Sequence, residues 1–194
     1  MAKKAKDSSD QSKPEAVYQL KVTLDGIKPS IWRRIQVRGD ITLFKLHKIL
    51  QAVMGWQNYH LHQFMLDGEC YSVISIEADM LGDDFKDEKK FRLKKVIPGE
   101  KFTYEYDFGD GWDHTILVEK ILRPAEELKA PVCLDGKRSA PPEDCGGKGG
   151  YHDVLKALKN PSHPDNAELL EWLDGYDPEY FDADAVNERL AKIR

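Results

Sequence analysis

The alternation of apolar and polar positions is clearest near the start of the chain. Val17 to Leu24 alternates with one slip near Tyr18, and Ile31 to Val37 alternates again after the loop Asp25–Ser30. A period of two along such runs predicts strands, and the short loop joins them as an antiparallel hairpin. Arg33 and Arg34 are neighbours on the second strand, so they project to opposite faces. At least one therefore meets the core side or an edge and calls for an acidic partner. Leu43, Leu46, His47, Leu50 and Val53 or Met54 recur at helical spacing, between Thr42 as N-cap and Gly55 as C-terminal glycine. His47 belongs to that apolar stripe.

His60 to Leu66 returns to period two, which places His60 and His62 on one strand face. Asp67-Gly68 is a turn, and Cys70 to Ile76 is the next strand. Within the Asp- and Lys-rich stretch Glu77 to Lys95, Asp83 to Lys90 predicts an exposed mobile loop, with a short strand at Phe91 to Leu93. Lys101 to Tyr106 and Thr115 to Leu122 flank Gly109-Asp110-Gly111, strong turn chemistry between two strand-like runs. After Arg123-Pro124 a long irregular segment is predicted to run to Gly150, rich in proline and glycine from Pro131 on. Helices follow at Tyr151–Leu158, Ser162–Leu173 with Leu169, Leu170 and Trp172 inward, and Ala183–Ile193. This order predicts an α+β fold: a mostly antiparallel sheet with one early helix and a C-terminal group of helices. Residues 1–16 read as a disordered tail, and 17–194 as one α+β domain.

Composition changes this picture little. At 194 residues, 41% hydrophobic and 32% charged, the chain is that of an ordinary soluble globule. No apolar run approaches the ~20 residues that cross a bilayer, and the polar, basic first residues lack the apolar middle of a secretory signal. Three cysteines, an odd number, argue against a disulfide framework and for a reducing compartment, which predicts a cytoplasmic location. The net charge of −5 hides a basic first half and a strongly acidic second half. Direct nucleic-acid binding is not favoured by that balance, because it depends on neutralising phosphates. The basic half leaves room for a local patch.

The richest stretch for chemistry is Tyr104 to His114, a hairpin tip carrying Asp107, Asp110, Asp113 and His114. Hard oxygen donors here, with Glu143 and Asp144, suit a divalent metal such as magnesium or manganese. His60, His62, His114, Cys133 and Cys145 are donors for zinc, although the eleven residues between the two cysteines are not a zinc-knuckle spacing. The bland reading is a charged turn in which Asp107 accepts backbone hydrogen bonds or pairs with Arg33 or Arg34. Cys145, just before a helix, is a nucleophile candidate through a lowered pKa. Among the aromatic residues, Trp56 and Trp112 border turns and are the best pocket candidates, together with Arg33, Arg34, His60 and His62. No complete catalytic constellation is visible.

Several phrases taken together resemble a known family: Tyr18-Gln19-Leu20-Lys21-Val22, Pro29 to Arg34, Met54-Gly55-Trp56, Tyr104 to His114, and Pro141-Pro142-Glu143-Asp144-Cys145-Gly146-Gly147. The sequence is similar to the plasmid pRiA4b open-reading-frame-three-like family, from about Val17 to the last helix. The resemblance implies an α+β domain and no particular activity. It also implies a link to mobile elements or transcription, since some members carry resolvase-like labels or a fused repressor domain. The family phrase carries a cysteine where this chain has Ala140, which argues against a cysteine-rich metal site. The function expected is a non-enzymatic accessory module binding an unknown ligand or protein partner. The alternative is a metal-dependent hydrolase acting on nucleic acid or phosphoesters.

Overall fold

The two N-terminal strands form as their alternation predicts, and they lie inside the sheet. In the computed structural model, which describes residues 13–74 and 85–193, β1 (Val17–Leu24) pairs antiparallel with β2 (Trp32–Arg38) on one side. On its other side β1 pairs with β7 (Trp112–Leu122). The slip near Tyr18 corresponds to a register shift against β7 between Gln19 and Leu20. Helix α1 (Leu43–Met54) starts at Thr42, whose side chain accepts from the Lys45 amide. It ends at Gly55 in the left-handed conformation, φ 84°.

The remaining strands are β3 (His62–Leu66), β4 (Glu69–Ser72), β5 (Lys86–Asp87), β6 (Lys101–Tyr106) and β8 (Val132–Lys137). The sheet order is β5-β4-β3-β6-β7-β1-β2-β8, antiparallel except for the β4–β5 edge. Helices α2 (Gly147–Lys159), α3 (Ala167–Trp172) and α4 (Ala183–Leu190) follow. The fold is α+β, as the element order predicts. One sheet face supplies Leu20, Val22, Ile35, Phe64, Phe102, Tyr104, Tyr106, Ile116 and Val118 to a hydrophobic cluster completed by the helices. The opposite face carries Lys21, Arg34, Glu105 and Glu119, half-buried or paired. A sheet with one dry and one wet face needs this strict alternation.

Several expectations are corrected. The segment Pro131–Gly150 is not irregular throughout: β8 pairs with β2, and Asn187 of α4 clamps the backbone of Cys133 on its outer edge through bonds of 2.7 and 3.0 Å. Covering an edge in this way blocks further strand pairing. β3 begins at His62, so His60 lies outside it. The stretch Phe91–Leu93 is not a strand; a 3-10 turn spans Leu93–Lys95. Glu88, expected in an exposed loop, is fully buried. α2 starts four residues before Tyr151, because its glycines let it pack closely: a Cβ on Gly147 (φ +65°) would lie 2.5 Å from the Asp110 carbonyl oxygen at the hairpin tip. Trp172 points outward, 49% exposed. The expected tail falls, for residues 1–12, outside the described residues, as do residues 83–84 of the expected loop and the end of the strand predicted to reach Ile76.

Candidate functional site

The cleft is built from chain ends rather than strand faces. The left-handed Gly55 turns the chain at the end of α1, so Trp56 reaches back and donates from Nε1 to the Pro141 carbonyl at 2.9 Å. The Gln57 amide donates to Glu143 at 2.7 Å, and the Tyr106 hydroxyl donates to the same carboxylate at 3.1 Å while accepting from the Tyr59 amide. Burial, and then the charge of Glu143, push the Tyr106 hydroxyl pKa upward, so it stays a donor. The connection after β8 is therefore fastened to the end of α1. Between them and α4 opens a cavity of ≈ 580 Å³, walled by Trp56, Tyr59, Pro141, Glu143, Asp144, Trp172, Tyr176, Tyr180, Phe181 and the two arginines Arg33 and Arg189.

Arg33 is the unusual wall residue, being only 3% exposed. Its Nε donates to the Val53 carbonyl at 2.9 Å, and its Nη1 to the carbonyls of Trp32 and Lys137 at 2.9 and 3.1 Å. Its guanidinium lies 4.7 Å from the centre of the Phe181 ring. A Cβ on Gly136 would strike both Phe181 and Arg33, so this stack needs glycine at that point of β8. Among the described residues no carboxylate lies within ion-pair distance of Arg33, and its Nη2 has no hydrogen-bond partner. Burial, opposed by Cys133 and aided by the nearby Arg189, pulls its pKa down to about 10, which leaves it charged at neutral pH. The acidic partner expected for this arginine pair goes to Arg34 alone, which meets Glu119 at 2.8 Å.

The opposite rim is acidic. His60 Nε2 lies 2.9 Å from Asp144 Oδ1 and 3.6 Å from Asp107 Oδ2. One donor atom from each of the three falls within 4.8 Å of the others. Asp107 sits at φ 58° in the hairpin tip, where Oδ1 accepts from the amides of Gly109 and Asp110 at 3.0 and 3.3 Å.

The other sequence candidates do not join this group. His62 is buried; it stacks on His47 with ring centres 3.5 Å apart and meets Glu88 at 3.0 Å, so His60 and His62 do not converge. Asp110 accepts from the Gly146 amide, and Asp113 pairs with Lys148 at 3.1 Å. His114 is fully buried with Nδ1 3.2 Å from the Tyr104 carbonyl oxygen. Trp112 is a core residue and Arg34 lies on the wet sheet face, so neither lines the cleft. Cys133 is buried in β8. Cys145 does not have the lowered pKa expected beside a helix start: burial, and then Asp110, push it up to about 12. Sequence reasoning missed Arg189, Tyr176, Tyr180 and Phe181. Their signal was an aromatic pair, Tyr180-Phe181, placed just before the helix cap Asp182, a position that strands large rings at the surface.

A one-sheet α+β fold with a polar, aromatic cleft where the C-terminal helices meet the end of α1 defines the class. The chain belongs to the family whose model is described as Plasmid pRiA4b ORF-3-like protein, which matches residues 16–185. It is 38% identical over 175 residues to the uncharacterized protein y4hQ of Sinorhizobium fredii, covering 89% of this chain and 87% of that protein. Its fold is similar to the crystal structure of a protein of unknown function, MM3350 from Methanosarcina mazei Go1. The two share 40% identity with a TM-score of 0.79, over 88% of this chain and 97% of that one. Among the described residues no helix is long and apolar enough to cross a membrane.

Proposed function

We propose that this protein is a binding module whose cleft takes a small monoanionic ligand carrying a planar group, without a catalytic step. The observation that carries the reading is Arg33: a buried, charged guanidinium with no carboxylate partner among the described residues and an unbonded Nη2 at the cleft wall. A buried charge normally has a counter-ion. A ligand carboxylate or monophosphate oxygen supplies one, as a charge-assisted hydrogen bond from Nη2, since Nε and Nη1 are already taken by backbone carbonyls. Arg189, whose Nε is held by the Ala52 carbonyl at 2.9 Å, adds a second charge at the same wall. Trp172 and Tyr180, exposed at the mouth, offer faces for a planar group. The Glu143–Asp144 rim repels a polyanionic chain, which disfavours nucleic acid. A role beside mobile elements or transcription is compatible with a sensing cleft of this kind.

The test is thermal melting of the full chain with benzoate, phenyl phosphate and adenosine monophosphate. A ligand at 100 times its Kd stabilises by about 2.7 kcal/mol, which for a chain of this size raises Tm by about 5–10 °C. Arg33→Lys and Arg189→Ala abolish the rise. Absence of any rise across the three probes, or a rise that survives both substitutions, overturns the reading. Metal-dependent hydrolysis is favoured by one observation, the approach of His60, Asp107 and Asp144. Turnover of a phosphoester by metal-supplemented protein, lost in Asp144→Ala, would replace binding by catalysis.

A further inference from the structure

We infer that His60, Asp107 and Asp144 form a binding site for one first-row divalent cation of the manganese-to-zinc series. This site rests on residues other than the arginine wall and holds whether or not the cleft takes an anion. Three segments distant in sequence supply the donors: the approach to β3, the hairpin tip after β6, and the connection after β8. Their separations fit a common ion. Bonds of ~2.0–2.2 Å place neighbouring donors about 2.9–3.5 Å apart, and opposite ones about 4.2 Å apart. The observed distances are 2.9 and 3.6 Å, with all three atoms inside 4.8 Å.

The atoms are also left free for coordination. His60 Nε2 is buried and makes no hydrogen bond, although Asp144 Oδ1 is 2.9 Å away. Asp107 is only 7% exposed, and its Oδ1 is fixed by two backbone amides. Its Oδ2, on the His60 side, has no hydrogen-bond donor among the described residues. A buried imidazole nitrogen without a hydrogen-bond partner, here His60 Nε2, is costly unless a cation serves it. The Tyr106 ring lies edge-on to the His60 ring with centres 5.9 Å apart, and Tyr106 also holds Glu143, next to Asp144. Such outer contacts fix the ligands in place. One imidazole with two carboxylates suits manganese, iron or zinc better than magnesium or calcium, which take oxygen alone. Asp144 also lines the cleft, so the ion's remaining positions face that space.

Isothermal titration of chelator-treated full-length protein with Zn²⁺, and separately with Mn²⁺, tests this. The expected result is one equivalent, with Zn²⁺ tighter than Mn²⁺. His60→Ala and Asp144→Ala each weaken binding by about 100-fold or more, since loss even of an outer contact costs about 10–100-fold. Asp107→Asn does the same; if its turn fails to form, the other two variants still decide. His163→Ala, at an exposed histidine far along the chain, leaves the titration unchanged. Mn²⁺ relaxation selectively broadens the His60 ring protons. No stoichiometric binding of either ion, or binding indifferent to His60→Ala and Asp144→Ala, overturns the site and leaves the three groups as an ion-pair cluster.

Discussion

Single residues carry their chemistry here through what surrounds them, and Glu88 shows how far that can depart from its sequence neighbours. It is flanked by Asp87, Lys89 and Lys90, yet it is fully buried with Oε2 3.0 Å from His62 Nε2. His62 in turn stacks on His47, interplanar angle 4°, whose Nδ1 lies 2.9 Å from the Tyr104 hydroxyl and whose Nε2 lies 2.7 Å from Asn58 Oδ1. Such a network is stabilising while its members are paired; here, among the described residues, Glu88 Oε1 lacks a hydrogen-bond partner and the ring nitrogens named above are all paired. Glu88→Ala leaves His62 buried beside a void, and stability falls by about 3 kcal/mol. Urea unfolding measures it; a loss below about 1 kcal/mol would show that Glu88 is not a structural member of the network. Arg33 obeys the same logic in reverse. Position on a strand predicted that one arginine faces the core, but not that three backbone carbonyls would hold it in place of an acid.

At the scale of elements, the hairpin β6–β7 and helix α2 are locked to each other by glycine. The register Tyr104↔His114 and Tyr106↔Trp112 sends four large rings to the dry face, while the tip turns over at Asp107 and Gly111. The tip meets α2 where Gly147 leaves no room for a side chain. Gly147→Ala therefore forces a Cβ against the Asp110 carbonyl and strains a positive φ, lowering stability by at least about 2 kcal/mol. Two residues on, Gly149 has open space around its would-be Cβ. Gly149→Ala gains about 0.5–1 kcal/mol from helix propensity. Opposite signs in a pair of melting curves are the expected outcome, and equal shifts would refute the close packing. The hairpin itself was readable from Gly109-Asp110-Gly111 between alternating runs. Strand β8 was not, because Val-Cys-Leu-Asp-Gly-Lys is short and carries a glycine and proline context that reads as loop. Its strand form depends on the β2 edge it meets.

The whole molecule responds to pH through histidines that are far apart in sequence. Burial, reinforced by His62, lowers the His47 pKa to about 3, and burial lowers that of His114 to about 4. Both are neutral in the folded protein. Unfolded, each takes up a proton near pH 6.5. Between pH 6.5 and about 4 the unfolded chain thus binds more protons, so stability is full above that window and falls as the pH drops through it. The expected loss on going from pH 7 to pH 5 is about 2 kcal/mol per histidine. Asp40 and Glu119, whose carboxyls hydrogen bonds from Arg38 and Arg34 hold below the usual range, add losses of the same sign at lower pH. Urea midpoints at pH 7, 6 and 5 check this, and a flat series would contradict it.

Much of this protein is determined locally. The period-two runs of β1, β2, β6 and β7, the Thr42 and Gly55 limits of α1, and the turn glycines follow from backbone geometry and burial on one face, which leave their mark every second or fourth residue. The site does not. Asp107 was legible as a turn acid because its partners are the amides two and three residues on. Its approach to His60 and Asp144 depends on how β3, β6 and the connection after β8 are brought together, which no local periodicity encodes. Trp112 and Trp56 look alike at sequence level, yet one lies on the dry sheet face and the other after a helix end, and only the packing of layers separates core from cleft. The sequence alone decided most of the strands, helices and turns, with β8 the exception. Tertiary structure decided which charged groups lose their neighbours and face a common space, because that depends on contacts between residues far apart in the chain, such as Arg33 and Phe181.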